Sequence, residues 1–255
     1  MGQKTAIAER EIGFRARDGV TVPAFVAEPQ GASAAPRIVV APEIFGLSPW
    51  IRSVARRLAR EGFRAVAPEI FVRDTQPLGA DRGSWMARIG RLDVPQALSD
   101  LRSALDELWA EGDGSAGARA EAAGRSIGGG KAAVIGFCLG GALSLLAAAE
   151  GGLSACVDCY GRPRWSRNDA LHPVDAIDVA QRISCPVLAV YGRRDEGIPV
   201  SDAEALGAAL PAGSELALYD AGHAFLNDTR PDRYAAGQAT LAWGKITGFL
   251  RRHLS

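Results

Sequence analysis

Neither sign of charge is in excess: Lys plus Arg and Asp plus Glu both number 29 in 255 residues. That balance gives no reason to expect a nucleic-acid backbone or an anionic membrane surface as partner. Cysteine is scarce, at four residues, too few to staple a chain of this length into a disulfide scaffold. Reduced thiols and a cytoplasmic location are therefore expected. Histidine is scarcer still, at three residues, so any chemistry needing an imidazole has few candidates. No apolar run reaches the roughly 18 residues that a membrane span needs. The most apolar stretch, AAVIGFCLGGALSLLAAAEGG, is broken by glycines and reads as strand, turn and helix. The opening MGQKTAIAER lacks the apolar core and small-residue cleavage pattern of a signal peptide.

What is present is ordinary globular composition, 47% hydrophobic and 23% charged, in a chain long enough to bury a sizeable core. Residues 12–26, IGFRARDGVTVPAFV, alternate apolar and polar positions around Asp18-Gly19, a hairpin signal. Strands and helices then alternate. RIVVAPEIFG (37–46) reads as a strand entering a loop, and Ser48-Pro49 opens a helix ending near Gly62. RAVAPEI (64–70) is the next strand. A long helix begins near Asp93, with Val94, Leu98, Leu101, Leu105 and Leu108 as its apolar stripe. A Gly- and Ala-rich loop is expected over 111–130, followed by a strand at 132–137 and a helix at 139–150. Further strands are expected at 155–160, 186–192 and 214–220. The last helix spans about 235–253, with Leu241, Ile246, Phe249 and Leu250 near its buried face. Repeated βα units after a hairpin predict one α/β domain over 1–255, a mostly parallel sheet with helices on both faces.

The sharpest motif is Gly136-Phe137-Cys138-Leu139-Gly140-Gly141, between a β-rich run and an apolar helix. It is a G-x-nucleophile-x-G elbow with Cys at the centre. A turn sharp enough to expose the central side chain crowds its neighbours, so the flanking positions must be small. The helix beginning at Leu139 directs its free N–H groups and positive dipole end at the sulfur, and the Leu139 N–H is one oxyanion donor. Read alone, Cys138 is equally a buried small residue beside a helix start. A dinucleotide fingerprint is a weak rival, because the spacing G-x-x-x-G-G is wrong for G-x-G-x-x-G. Two later segments tip the balance toward catalysis. Asp195 in YGRRDEGIP and His223 in DAGHAF each follow an apolar strand, and nucleophile, acid, histidine is the chain order of α/β-hydrolase triads. Imidazole can take and return a proton near neutral pH, and a carboxylate fixes its tautomer. Of the other histidines, His172 falls in a polar loop and His253 beside the C-terminus. Glu43, in APEIFGL, ends another buried strand, in the loop expected to supply the second oxyanion N–H, from Ile44.

Together PEIFGL, GFCLGGAL, GRRDEGIP and DAGHAF resemble the dienelactone hydrolase (carboxymethylenebutenolidase) family of the α/β-hydrolase fold, over nearly the whole chain. The resemblance implies Cys138 as nucleophile, His223 as base, Asp195 as its orienting acid and Glu43 as a group that activates the resting thiol. Ile44 and Leu139 would donate to the oxyanion. The implied partner is a small lactone or ester cleaved through an acyl-enzyme, with no cofactor and no metal. The family's arginines hold a substrate carboxylate. Arg82 falls near one such position, but Asn227 stands four residues after the histidine where the other is expected. Arg230 or Arg233 could substitute only if the loop folds back, so general esterase-like activity is favoured. Asn227 and Trp165, which follows a strand end in GRPRW, are further candidates for substrate contact. A non-catalytic small-molecule-binding member of the same fold is the alternative, though a binder has no need of a matched triad. Cys156 and Cys159 form a C-x-x-C within a strand, where residues three apart face opposite sides; with Cys185 they are expected to be structural. Core or pocket-wall places are expected for Trp85, Trp109 and Trp243.

Overall fold

The computed structural model describes residues 5–31, 34–112, 130–165 and 169–255. β1 (Ile7–Arg15) and β2 (Thr21–Pro29) form the expected hairpin, its turn closed by Gly19 at φ 85°. They join an eight-stranded sheet of order β1-β2-β4-β3-β5-β6-β7-β8. β2 meets β4 (Arg64–Pro68) antiparallel. From β4 onward through β3 (Arg37–Ala41), β5 (Ala132–Phe137), β6 (Ala155–Cys159), β7 (Val187–Gly192) and β8 (Glu215–Tyr219) every pairing is parallel. The α/β-hydrolase reading of the fold is borne out.

The central strands β3 to β7 are buried along their whole length, as expected when helices cover both faces of a parallel sheet. One face packs on α3 (Val94–Gly112), α4 (Leu139–Ala149) and α5 (Val200–Ala209). The other packs on α1 (Pro49–Arg60) and α6 (Ala236–Leu254). Ser48 caps α1 as predicted, its Oγ accepting the Ile51 N–H at 3.3 Å. Cys156 and Cys159 fall in opposite core layers, and with Cys185 they are buried, free thiols.

Several expectations need correction. Leu241 is 63% exposed, because the buried stripe of α6 runs through Ala239, Ala242, Trp243, Ile246, Phe249 and Leu250 at helical spacing. His172 is buried, although its segment is polar. Three elements had no expectation: α2 (Arg82–Arg91), which buries no residue, a 3₁₀ turn at Ile177–Arg182, and α5, which buries only Ala203 and Leu206. Most of the loop expected at 111–130 lies outside the described residues, as does the Trp109 side chain; α3 continues through Gly112. Among the described residues no helix is long and apolar enough to cross a membrane.

Candidate active site

The carboxyl ends of four parallel strands supply the site, where open α/β sheets place their ligands. Cys138 directly follows β5, with φ 55° and ψ −116°. A non-glycine residue at such angles stores strain on the order of 1–3 kcal/mol, tolerated only where surroundings enforce it. They do. A Cβ at Gly136 would overlap the Gly140 carbonyl, one at Gly140 would overlap the Ala41 carbonyl of β3, and one at Gly141 would strike the Asp158 carboxylate. The Cys138 N–H donates to the Cys159 carbonyl at 3.0 Å, tying the turn to β6. The thiol is partly exposed; in the first turn of α4 the Gly141 N–H donates to the Cys138 carbonyl at 3.0 Å, while the Leu139 N–H is spent on no backbone carbonyl among the described residues.

Asp195 and His223 follow β7 and β8. His223 Nδ1 lies 2.6 Å from Asp195 Oδ2. Asp195 Oδ1 accepts the Gly197 and Ile198 N–H groups at 2.8 and 3.1 Å. Burial pushes the Asp195 carboxyl upward, but His223 and these N–H donors outweigh it and hold it below its ordinary value. Cys138 lies close enough to His223 for its charge to act on the imidazole. Burial pulls the imidazole down, yet the charge on Cys138, its hydrogen bond and the Asp195 carboxylate raise His223 to about 10. Of the three side chains expected to act together, Asp195 and His223 are in direct contact and Cys138 acts on His223. Tyr160, with φ 45°, sets its ring edge-on to His223 at 5.2 Å between centroids.

Glu43 is 3% exposed, not the solvated carboxylate its residue type suggests. Its described hydrogen bond comes from Asn227 Nδ2, at 3.0 Å. Burial pushes Glu43 up to about 7, opposed by His223, by that hydrogen bond and by Arg230. The partner in contact is a neutral amide, which cannot hold a buried carboxylate ionised as a guanidinium would. The rest of Asn227 is also occupied within the protein, its Oδ1 accepting from the Thr229 N–H and hydroxyl. The Ile44 N–H is not spent on any backbone carbonyl among the described residues. Its loop is shaped by Gly46, at φ 63°, and by Glu69, whose Oε2 accepts the Leu47 N–H at 2.8 Å.

The flank of the site is built differently. Arg88 of α2 donates to the Ile44 carbonyl at 3.0 Å, and α2 is also held by Arg88 and Arg91 pairing with Asp74. Phe45 and Trp85 meet edge to face at 5.5 Å, and the Arg230 guanidinium lies 5.8 and 5.6 Å from their rings. The 224–235 segment thus folds back far enough for Arg230 to act on Glu43. Arg82 is exposed at the start of α2, and no described contact joins it to the triad. Trp165 is anchored by its indole N–H, which donates to the Val174 carbonyl, and its ring lies beside His172. Sequence reasoning missed α2, Arg88 and the site role of Tyr160. The only available signal was the Asp81 and Ser84 capping pair, since Asp81 Oδ1 accepts the Ser84 N–H at 3.0 Å. Among the described residues no cluster of His, Cys, Asp and Glu is fit to hold a metal.

Residues 22–254 match the sequence profile of the dienelactone hydrolase family. The chain belongs to that family. It is therefore a hydrolase. A Methylorubrum extorquens protein named "putative carboxymethylenebutenolidase" is 33% identical over 250 residues, covering 95% of this chain and 80% of the relative. The carboxymethylenebutenolidase of Rhodococcus opacus is 29% identical over 222 residues, 86% of this chain and 81% of its own. Among solved structures, a "putative dienelactone hydrolase" from Klebsiella pneumoniae superposes with a TM-score of 0.83 at 29% identity, covering 95% of this chain and 98% of that one.

Proposed function

We propose that this dienelactone hydrolase family member opens lactone or ester bonds by nucleophilic catalysis from Cys138, through a thioester acyl-enzyme. The observation that carries the reading is the 2.6 Å contact between Asp195 and His223, with Cys138 close enough for its charge to act on the imidazole. The Cys138 proton rests on His223, whose pKa is raised to about 10, and the sulfur adds to the carbonyl carbon as a thiolate beside the imidazolium. The Leu139 and Ile44 N–H groups receive the oxygen that gains charge. Collapse breaks the acyl C–O bond, and His223 returns the proton to the departing oxygen, which in a lactone stays attached to the acyl chain. Water then attacks the thioester, giving one proton to His223; the C–S bond breaks, the carboxylic acid leaves and the thiol is restored. Every step uses groups of the chain and water.

On substrate class, compact lactones and esters suit this arrangement. Asn227 supplies no charge, and the basic side chain acting on Glu43 is Arg230. A substrate carboxylate would find its cation there, beside Phe45 and Trp85. The test is hydrolysis of a panel of activated esters and lactones, with and without a carboxylate, by wild type and Cys138→Ala. Loss of about 10³-fold or more with folding intact is expected. Unchanged turnover in the folded variant would overturn the reading.

A further inference from the structure

Asp158 of β6 is a fully buried acid that the triad does not use, and no basic side chain is among its partners. Its Oδ1 accepts the Gly161 N–H at 2.9 Å. Its Oδ2 lies 2.5 Å from the Tyr191 hydroxyl, which also lies 2.6 Å from the Gly161 carbonyl oxygen. A phenol carries one proton to donate. If Asp158 is ionised, Tyr191 faces two acceptors with that single proton, and one short oxygen–oxygen contact stays unfilled in the interior. If Asp158 is protonated, every contact is filled: Asp158 donates to Tyr191, Tyr191 donates to the Gly161 carbonyl, and Gly161 donates back to Asp158.

The turn closed in this way is the floor of the site. Gly161 and Gly141 lie so close that a Cβ on either would strike the other's backbone and Asp158. The Cys159 carbonyl holds the Cys138 N–H, and Tyr160, between Cys159 and Gly161, lies against the His223 ring. After Tyr191 the chain passes Gly192, where a Cβ would overlap the Ala221 carbonyl of the histidine loop, and reaches Asp195.

We propose that Asp158 is a positioning residue that works in its protonated form, donating to Tyr191 so that a neutral Asp158–Tyr191–Gly161 brace fixes the turn on which Cys138 and His223 rest. Burial, which drives the Asp158 carboxyl up to about 7, acts in the same direction. The ionisable groups near it are Cys156 on the same face of its strand, the neighbouring Cys159 on the opposite face and Tyr191 on β7, each pushed well above its ordinary value by burial. Asp195 acts on Tyr191 from the acid loop. α4 presents no ionisable side chain, only Ser144, whose hydroxyl donates to the Gly141 carbonyl. Asp178 and Arg182, in the 3₁₀ turn beyond α4, are exposed.

Asp158→Asn separates this brace from an ordinary buried carboxylate, because an amide can accept from Gly161 and donate to Tyr191 at any pH. The folded wild type keeps a proton that the unfolded chain gives up near pH 4, so raising the pH favours unfolding until the folded carboxyl also titrates near 7. Relative to Asp158→Asn, the wild-type folding constant from denaturant titration is expected to fall about tenfold per pH unit between pH 5 and 7 and then level off. In turnover, Asp158→Ala is expected to lower kcat more than it changes KM, and Asp158→Asn to restore it. The wild-type decline of kcat above about pH 7 is expected to move upward by a pH unit or more in Asp158→Asn. An Asp158→Asn protein with the wild-type pH slope of stability, or as impaired as Asp158→Ala, would overturn the proposal. The kinetic arm rests on the proposed hydrolysis at Cys138; the stability arm does not, so a failed nucleophile and a failed brace give different results.

Discussion

The elbow at 136–141 and the helix at 82–91 border the same site and are held by opposite means. At the elbow, backbone meets backbone: three glycines where any Cβ would collide, a strained Cys138, and an α4 free of charged residues. At α2 no residue is fully buried, and the helix is held by Arg88 and Arg91 on Asp74, Arg88 on the Ile44 carbonyl, and the edge of Trp85. Close packing tolerates almost no change, whereas partly exposed ion pairs contribute little and are screened by salt. Cys138 is thus fixed by sterics, whereas α2 is held over the Ile44 loop by adjustable charges.

The largest effect that would sharpen this contrast comes from Gly136→Ala, whose Cβ has no space beside Gly140. A loss of about 3 kcal/mol or more in chemical denaturation, or failure to fold, is expected. Near-wild-type stability would break the contrast on the elbow side.

Glu43, between the two regions, should show a smaller effect tied to pH. Its carboxyl is raised from 4.5 to about 7, so the folded state favours the protonated form. That contribution is complete below about pH 4.5 and is lost as the pH rises through 7. Glu43→Gln is expected to abolish the loss, gaining about 3 kcal/mol over wild type at pH 8 relative to pH 4. If the Glu43 carboxylate activates the thiol, kcat/KM of the same variant should fall below wild type at pH 8 and match it at pH 5. The smallest effect is expected from Arg91→Ala on α2, whose partner Asp74 keeps Arg88. A stability change within about 0.5 kcal/mol, vanishing in high salt, is expected.

The same difference explains what could be read from residues alone. Steric necessity leaves marks in sequence: the glycines around Cys138, the apolar runs of β5 and β7, and the order Cys138, Asp195, His223 were all legible. Ion-paired elements leave weaker ones. SWMARIGR (84–91) carries only a short apolar edge, Trp85 and Ile89, which pack on the core without being fully buried, and α2 is otherwise fixed by charges to Asp74, ten or more residues away in the chain. His172 read as a loop residue, yet it is buried, with its ring nitrogens 3.2 Å from Asp169 Oδ1 and 3.0 Å from the Ile89 carbonyl. Leu241 was misassigned because its position on α6 points out of the stripe that Trp243 and Ile246 define. The Asp158–Tyr191 brace was invisible for a related reason: a polar pair split between two strands has no local pattern.

Intact-mass analysis after rapid mixing with an activated ester tests most directly whether these loops converge on one reacting sulfur. An acyl adduct mapping to Cys138 is expected within the first turnover, absent from Cys138→Ala and formed far more slowly in His223→Ala. Acylation at Cys156, Cys159 or Cys185, or at Cys138 at a rate indifferent to His223, would contradict the assignment.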